Sequence, residues 1–413
     1  MANPLSATAK VMAGAALTVA VVGGDVTFGS RELTSAAPST TREGSEHQMA
    51  KMDDAKLKDW LERWSRNIVN DARNRYCDKA MGEDIGWLMT PFMNGFYHGY
   101  MATGDPKWVD MLVDWTDFWV KRGVVEPDGY VGWPTAGAAG TKVDSLDDFA
   151  ADSLLGEAMC LRPVVLMSAE VLRTPALKEK YGAKAESYIK LAEQVFEKWD
   201  KRGAWRETEG GGMITVVLPF GIDPNTGKWT AGYATRNAPG NGFSHPDNKA
   251  NLCARWLMAM SDVTGEPVYR ERAEKWFRLM KSRMKMKDDG TYEIWNYWQP
   301  AGPWDYRLDG SPKHWIGVHP NGGYYFIDTD AIVDAYQHGL VFTREDMDRL
   351  TAAALAEKRY WTSLAPYNED IQKNFEEHHN PEGWGGLAAT PWYLALQARL
   401  REVGGLMRGS SGE

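Results

Sequence analysis

The feature that most constrains this fold is a repeated pair of helical segments joined by a Gly-acid-Pro turn. Residues 92–119 and residues 254–280 each hold an apolar segment, a Thr-Gly-acid-Pro turn and a second segment with Trp nine positions after the proline. Glycine ends a helix in the left-handed conformation, and an acid and a proline favour the start of the next helix. A weaker copy covers residues 165–199, and a further hairpin is expected over residues 331–355, turning at residues 342–343. Since each hairpin must bury its apolar stripe against neighbours, the sequence predicts an array of helical hairpins.

The connections between these hairpins are long and rich in glycine and aromatic residues. They cover residues 124–144, 201–251, 287–323 and 367–386, and further helices are expected over residues 54–74 and 391–403. Strand-like alternation is scarce, with residues 212–218 and 292–298 as the best candidates. We therefore predict an all-α fold, an (α/α)n toroid or incomplete barrel of helical hairpins with minor β structure. Long aromatic-rich loops would crowd one mouth of it, where function concentrates.

The start of the chain has the pattern of an export signal. Residues 11–24 are apolar and follow Lys10, a stretch too short for a membrane span but typical of the core of a secretory signal. We expect a signal-like leader and flexible spacer over residues 1–48 and a single catalytic domain over residues 49–413. This organisation predicts a secreted or periplasmic protein without membrane contact after signal removal. Three distant cysteines without metal-site spacing are expected as buried thiols, with one disulfide as the alternative in an exported protein.

Composition points to a groove for sugars. Among 413 residues there are 19 Trp and 17 Tyr, whose flat apolar faces and polar edges suit partly wet surfaces. The Trp residues at helical spacing are expected in the core: Trp60, Trp64, Trp115, Trp119, Trp199 and Trp276. Those in the connections are candidate sugar platforms: Trp133, Trp229, Trp295, Trp298, Trp304, Trp315 and Trp384. A net charge of −9 and the absence of a Lys/Arg run argue against a nucleic-acid partner.

Polar candidates for chemistry fall into three groups. The first precedes the 254–280 hairpin and consists of Arg236, Asn237, Asn241, His245 and Asn248. The second follows that hairpin and consists of Tyr297, Trp298, Trp304, Tyr306, Arg307, His319 and Tyr324, with His314 and Tyr325 beside them. The third is Asn94 and His98, which share one helix face because they lie four residues apart. Asn beside Gly or Pro also makes turns and caps, so the structural role stays open for Asn237 and Asn241.

The hairpins and these loop residues resemble the α/α-toroid polysaccharide lyases that cut alginate or glucuronan. The resemblance implies β-elimination of a uronic-acid polymer without metal or cofactor. It implies that His245 and Asn241, assisted by Arg307, neutralise the carboxylate and that Tyr306 or Tyr297 transfers the proton. Substrate binding would fall to Asn94, His98, Arg236, Asn237, Asn248, Trp298, Trp304, His319 and Tyr324. In that family an Asn and a His are adjacent in the sequence, whereas in this chain the corresponding residues are separated. A monomer acting on an anionic polysaccharide is expected.

Acidic residues support an alternative. Asp144, Asp147, Asp148, Asp152 and Glu157 precede or enter a helix predicted to begin near Leu146. They either favour that helix start or supply the acid/base pair of a toroid glycoside hydrolase such as an unsaturated uronyl hydrolase, with Asp305, Asp328 or Asp330 as the second carboxyl. A sugar epimerase and a non-catalytic glycan-binding protein are further alternatives. The adjacent His378 and His379 are expected in a loop and carry no metal-site spacing.

Overall fold

A computed structural model contains four successive helical hairpins among the residues that it describes. It describes residues 54–64, 81–126, 128–136, 150–218, 221–222, 229–230, 242–359 and 361–378. Helix α1 covers Asp54–Trp64, and the hairpins are α2–α3 (Thr90–Thr103, Lys107–Lys121), α4–α5 (Leu154–Arg173, Pro175–Lys201), α6–α7 (Asp247–Thr264, Pro267–Arg283) and α8–α9 (Gly323–Gln337, Arg344–Ala356). Helix α10 covers Glu369–His378, and a π-helical turn, Ile85–Met89, runs into α2. All four predicted hairpins are therefore confirmed.

The turns form as the sequence predicts. Gly104 after α2 and Gly265 after α6 have φ of 70° and 71°, and their N–H groups donate to Tyr100 and Ser261 carbonyl oxygens. A residue with a Cβ is strained at such a φ, so glycine is required there. Thr343 begins α9 with a reciprocal cap, in which its N–H donates to the Asp346 carboxylate at 2.7 Å.

The first helices of the hairpins form the inner layer. Helix α4 packs against α2 on one side and α6 on the other, and α6 packs against α8. Each second helix packs on the first helix of its own hairpin. This arrangement, inner helices side by side with outer helices around them, is the predicted α/α toroid.

Tryptophan and glycine make the close packing of the first hairpin. Gly95 on α2 faces Trp64, and a Cβ added there would lie 2.4 Å from the Trp64 ring. Gly99, one turn later, faces Trp108, with a Cβ contact of 3.1 Å. The glycines therefore let indole rings lie on the helix backbone. The six Trp residues predicted for the core are all buried, which confirms that prediction.

The strands are short and lie in the connections. Strands β1 (Val124–Val125) and β2 (Val131–Gly132) pair antiparallel, as do β5 (Trp205–Glu207) and β6 (Met213–Thr215). A four-stranded sheet has the order β3-β4-β7-β8, from Thr135–Ala136, Ala150–Ala151, Gly221–Ile222 and Trp229–Thr230. The strand predicted at residues 212–218 is thus present as β6. Near residues 292–298 the described chain has only an isolated bridge between Met286 and Tyr292.

One local prediction is wrong, and another falls partly outside the described residues. The segment expected to begin a helix near Leu146 is described only from residue 150 onward, where Ala150–Ala151 form β4 and α4 begins at Leu154, with Ser153 as its cap accepting from the Gly156 N–H at 3.3 Å. His378 is the last residue of α10 and not part of a loop, since its Nδ1 binds the Asn374 carbonyl oxygen at 2.8 Å, one helical turn back.

Other predictions concern residues outside the described part: the leader over residues 1–48, the helices over 65–74 and 391–403, and Cys77, Trp384 and His379. Cys160 and Cys253 are buried free thiols, as expected. Within the described residues, no helix is long and apolar enough to cross a membrane.

Candidate functional site

Four aromatic side chains surround Tyr297, at the connection between α7 and α8. The Tyr297 cluster consists of Tyr297, His314, Trp315, His319 and Tyr324. The Tyr297 ring centroid lies 4.8 Å from that of His319, 5.2 Å from Tyr324, 6.0 Å from His314 and 6.0 Å from Trp315. Three residues from the second predicted group, Tyr297, His319 and Tyr324, are thereby brought together.

Backbone hydrogen bonds hold the cluster against the start of α6. The Tyr297 N–H donates to the Gly317 carbonyl oxygen at 2.8 Å, which folds the connection back on itself. The Tyr297 carbonyl oxygen accepts from the N–H of Asp247, the first residue of α6, at 3.0 Å. The cluster is therefore fixed to an inner helix of the toroid, although four of its residues lie in a loop and only Tyr324 lies in a helix, at the start of α8.

Burial sets the protonation of the cluster. It raises the pKa of Tyr297, with further increases from Tyr324 and Glu83, so the phenol is protonated at neutral pH. Burial lowers the pKa of His314, so that imidazole is neutral at pH 7. An ion pair between Lys249 Nζ and Glu83 Oε1, 2.7 Å apart, lies within electrostatic range of both rings. Tyr297 and His314 therefore offer neutral hydrogen-bonding groups beside a paired charge.

One ring of the cluster faces solvent. Trp315 is 45% exposed and lies nearly parallel to Tyr297, with an interplanar angle of 17°. Its neighbours Ile316 and Val318 are exposed as well. An indole backed by a second aromatic ring and open on the other side is suited to stacking on a sugar ring.

Three other predicted platforms are buried. Trp298 is 0% exposed, and its indole N–H donates to the Ser244 carbonyl oxygen at 2.9 Å. Trp133 and Trp295 are also buried, so no face of these three indoles is open to a sugar. The interpretation of Trp298 as a substrate contact is therefore corrected: it packs under His314, with ring centroids 5.5 Å apart. Trp304 is partly exposed and donates to Ser244 Oγ at 2.8 Å.

His245 lies in the core and not at an open surface. It is 4% exposed, and its Nδ1 lies 2.8 Å from Thr215 Oγ1. Burial lowers the pKa of His245 to about 3, so it is neutral at pH 7 and has no charge to offer a carboxylate. The cause is the bridge between Val216 and Ser244, which joins this segment to β6 and draws the imidazole inward.

Tyr306 and Arg307 are exposed and lie in a separate turn. Tyr306 bridges to Pro312, and the Arg307 guanidinium donates to the Pro312 and Lys313 carbonyl oxygens. Neither residue has a ring or hydrogen-bond contact with the Tyr297 cluster. Their predicted roles as proton carrier and carboxylate ligand find no support in this placement, because the guanidinium is occupied by its own turn.

The remaining predicted residues divide between inner helices and residues outside the described part. Asn94 and His98 lie on α2, and the Asn94 Oδ1 is buried without a hydrogen-bond partner among the described residues. Asn248, in the first turn of α6, is 1% exposed, and neither amide atom has a described partner. Arg236, Asn237 and Asn241 lie outside the described residues.

The sequence predicted only some members of a buried ionic network. Lys198 Nζ, on α5, lies 2.6 Å from Asp152 Oδ2 and 2.6 Å from Glu157 Oε1. Arg202 joins it, with NH2 2.7 Å from Glu126 Oε2. The acids Asp152 and Glu157 were candidates, whereas Lys198 was missed because basic residues are common near helix ends. Only a fully buried position distinguishes this lysine from its neighbours.

The network shares a proton among its carboxyls. Burial and the Asp152 charge raise the pKa of Glu157 well above its usual range, and they raise that of Glu126 to about 7. Burial also acts on Asp152, but Lys198 outweighs it and holds the pKa of Asp152 below its usual range. Asp152 is therefore the ionised partner of Lys198, and Glu157 is neutral. These acids serve the packing of α4 on α5.

The other described acids proposed for hydrolysis also bind neighbouring side chains or backbone groups. Asp305 is fully buried and accepts from the Ser244 N–H and hydroxyl, both at 2.7 Å. Asp328 accepts from Asn251 and Trp295, and burial, with the Asp247 charge, raises its pKa to about 8. Asp330 lies 3.5 Å from Arg255. Asp144, Asp147 and Asp148 lie outside the described residues. In the described part, no group of three side chains is arranged to hold a metal ion.

Comparisons with solved structures match most of the chain. No family profile and no curated protein matches it. A glycoside hydrolase family 76 mannosidase, Bt3792 of Bacteroides thetaiotaomicron, has 13% identity over 84% of this chain and 99% of its own, with a TM-score of 0.50. The unsaturated glucuronyl hydrolase of Bacillus sp. GL1 has 16% identity over 84% and 81%, with a TM-score of 0.41. The α-mannanase BT2949 of Bacteroides thetaiotaomicron has 11% identity over 85% and 96%, with a TM-score of 0.42.

These likenesses concern the fold. At 13% identity, the match to the family 76 mannosidase shows a shared architecture and leaves the activity to be argued from the site. That mannosidase is a hydrolase and not a lyase, so the match supports the toroid without supporting the lyase resemblance. The chain has the α/α-toroid fold, and the Tyr297 cluster lies in one of its long connections.

Proposed function

We propose that this chain is a carbohydrate-active enzyme that binds a glycan at the Tyr297 cluster and cleaves it. The observation that carries the proposal is the convergence of one Tyr, two His and one exposed Trp around the Tyr297 ring. Apolar platforms with a few convergent polar groups are the usual composition of a small-molecule site. A binding site built of aromatic faces and neutral donors fits hydroxyl-rich sugar rings.

Hydrolysis is the reaction that the comparisons favour, because the family 76 mannosidase that matches with a TM-score of 0.50 is a glycoside hydrolase. It needs two carboxyls, about 5–10 Å apart, one as acid and one as base or nucleophile. The described acids Asp305 and Asp328 are buried and hydrogen-bonded, so the remaining candidates are Asp144, Asp147 and Asp148, which lie outside the described residues. In this proposal, the Tyr297 cluster binds the sugar and the acids act beside it.

Elimination is a second candidate, favoured by the state of Tyr297. A protonated phenol beside a neutral imidazole is an acid next to a base. His314 would take the C5 proton of a uronate, the C4–O4 bond would break as a C4=C5 double bond forms, and Tyr297 would protonate the leaving oxygen. The substrate would then be an anionic polysaccharide of the alginate or glucuronan type.

One assay separates these reactions. The protein is incubated with α-1,6-mannan, alginate and glucuronan, and new reducing ends and the ultraviolet absorbance of a C4=C5 double bond are followed. Reducing ends without absorbance indicate hydrolysis, and both together indicate elimination. Binding without cleavage would refute an enzyme and leave a glycan-binding protein.

Two conservative variants locate the site. If the reaction is elimination, Tyr297→Phe is expected to lower kcat/KM by about 100-fold, the usual cost of losing a proton-transfer group. Its stability should not change, since no described residue hydrogen-bonds the Tyr297 hydroxyl. Tyr306→Phe, outside the cluster, is the matched control and should stay within twofold of wild type. The opposite ranking would move the site to the turn of Tyr306.

Export and a monomeric state complete the proposal. The export signal rests on residues 11–24, and N-terminal sequencing of the mature protein tests it. An intact Met1 in the extracellular or periplasmic fraction would contradict signal cleavage. Size-exclusion chromatography with light scattering tests the monomer, whose mass is 46.3 kDa before any cleavage.

A further inference from the structure

The two histidines of the Tyr297 cluster each use one ring nitrogen to bind the backbone. His314 Nδ1 lies 3.2 Å from the carbonyl oxygen of Trp315. His319 Nδ1 lies 2.9 Å from the backbone nitrogen of Asn321. In both rings the other nitrogen, Nε2, has no hydrogen bond to a described residue, and both side chains are half-buried.

These backbone contacts require opposite tautomers. A carbonyl oxygen only accepts, so the neutral His314 ring carries its proton on Nδ1 and leaves a lone pair on Nε2. A backbone N–H only donates, so Nδ1 of His319 is the acceptor and its proton lies on Nε2. The hydrogen bond of one ring nitrogen thus decides what the other presents.

We propose that His314 and His319 bind sugar hydroxyls in opposite senses, with His314 Nε2 as acceptor and His319 Nε2–H as donor. This inference rests on the proposed function and specifies its site. One hydroxyl of the bound sugar donates to His314, and another accepts from His319. The ligand class is a sugar unit that presents neutral hydroxyls at its edge while its ring stacks on Trp315. His314 is also the imidazole whose free nitrogen can accept a proton.

Neighbouring contacts keep both rings in place. The His319 N–H donates to the Tyr325 hydroxyl at 2.8 Å, and the Gly323 N–H donates to Asn321 Oδ1 at 3.0 Å, which orders the turn that carries the Asn321 donor. His314 stacks on Phe243, with ring centroids 5.7 Å apart. Both imidazoles lie against the exposed indole, at 6.0 Å for His314 and 5.8 Å for His319. A ring fixed in this way loses little entropy when a ligand binds.

Nitrogen NMR of histidine-labelled protein tests the tautomers without any substrate. Two-bond proton–nitrogen spectra at neutral pH show which nitrogen of each ring is protonated, and spectra of His314→Gln and His319→Gln assign the signals. We expect a protonated Nδ1 in His314 and a protonated Nε2 in His319. The reverse tautomer in either ring overturns the inference.

Binding of trisaccharides tests the hydroxyl contacts. The amide of Gln reaches the position of Nε2, whereas the amide of Asn reaches only that of Nδ1. For whichever of α-1,6-mannotriose and a mannuronate trisaccharide binds wild type, His319→Gln should keep the Kd within about threefold. His319→Asn should raise it about tenfold or more, the cost of one lost hydrogen bond.

The outcomes of these tests are distinguishable from failure of the proposed function. Equal affinities of His319→Gln and His319→Asn, or no trisaccharide binding at all, overturn the hydroxyl contacts. Cleavage of a polymer by a protein with the wrong tautomers leaves the enzyme in place and removes this inference. The expected tautomers and binding without any cleavage remove the enzyme and leave the inference.

Discussion

Lys198→Met is expected to destabilise the protein strongly, because it removes the charge that balances a buried carboxylate. Lys198 is 0% exposed, and its Nζ lies 2.6 Å from both Asp152 and Glu157. Methionine has a similar length, so the change removes charge and hydrogen bonds more than volume. Breaking a buried ion pair by removing one partner costs about 3–5 kcal/mol. The unfolding entropy is about 2.1 cal/mol/K per residue over 413 residues. Dividing the free-energy loss by this entropy lowers the temperature midpoint of unfolding by about 3–6 °C.

The two acids should respond unequally. Asp152 carries the balancing charge, so Asp152→Asn should cost as much as Lys198→Met. Glu157 is neutral, because burial and Asp152 raise its pKa well above the usual range, so Glu157→Gln should cost less than about 1 kcal/mol. This contrast follows from the protonation states and would not follow from the distances, which are equal.

Scanning calorimetry of four variants measures these effects. Lys201→Met is the matched control, since Lys201 lies one turn from the network and pairs with Glu197 at 2.6 Å on the surface. Exposed pairs are screened by solvent and contribute little to stability, so the temperature midpoint of unfolding of this variant should stay within about 1 °C of wild type. Equal shifts for Lys198→Met and Lys201→Met would refute the argument. A larger loss for Glu157→Gln than for Asp152→Asn would reverse the assignment of the charge.

Three further predictions concern packing, pH and binding. Gly95→Ala should destabilise the protein by about 1–3 kcal/mol, because the Cβ of alanine would lie 2.4 Å from the Trp64 ring, although alanine favours helices. A higher urea midpoint in this variant would contradict the close packing. Burial opposes charge on His338, but Asp262 at 2.8 Å raises its pKa above 6.5. The contribution of this ion pair to stability is therefore present below about pH 6.5 and lost as pH rises through the raised pKa. His338→Gln should cost up to about 1 kcal/mol near pH 5.5 and less near pH 8.5. Equal urea midpoints of variant and wild type at about pH 5.5 would contradict this prediction. Trp315→Ala should weaken trisaccharide binding about tenfold at unchanged stability, because the indole is 45% exposed; unchanged calorimetric affinity would exclude it as the platform.

Local signals explain why the hairpins were predictable. The Gly104 and Gly265 turns combine a left-handed glycine with an acid and a proline, and each of these acts within a few residues of chain. The apolar stripes between the turns then decide which helix faces are buried. A repeat of such units has few ways to close, so the toroid followed from the sequence.

The site was predictable only in part. Tyr297, His319 and Tyr324 were candidates because Tyr and His in a long connection indicate function, and the structure brings them together. His245 shows the same local signal, a histidine before a proline, but it is buried against Thr215. Nothing within a few residues of either histidine distinguishes an imidazole facing solvent from one facing the core.

The sequence by itself determined the helical hairpins, their turns and the aromatic character of the connections, since these depend on neighbours in the chain. Tertiary structure alone decided that Trp315 is open while Trp298 is buried. It also decided that Lys198 meets Asp152, 46 residues away. Burial and pKa are set by groups distant in sequence, and these groups meet only when the hairpins pack.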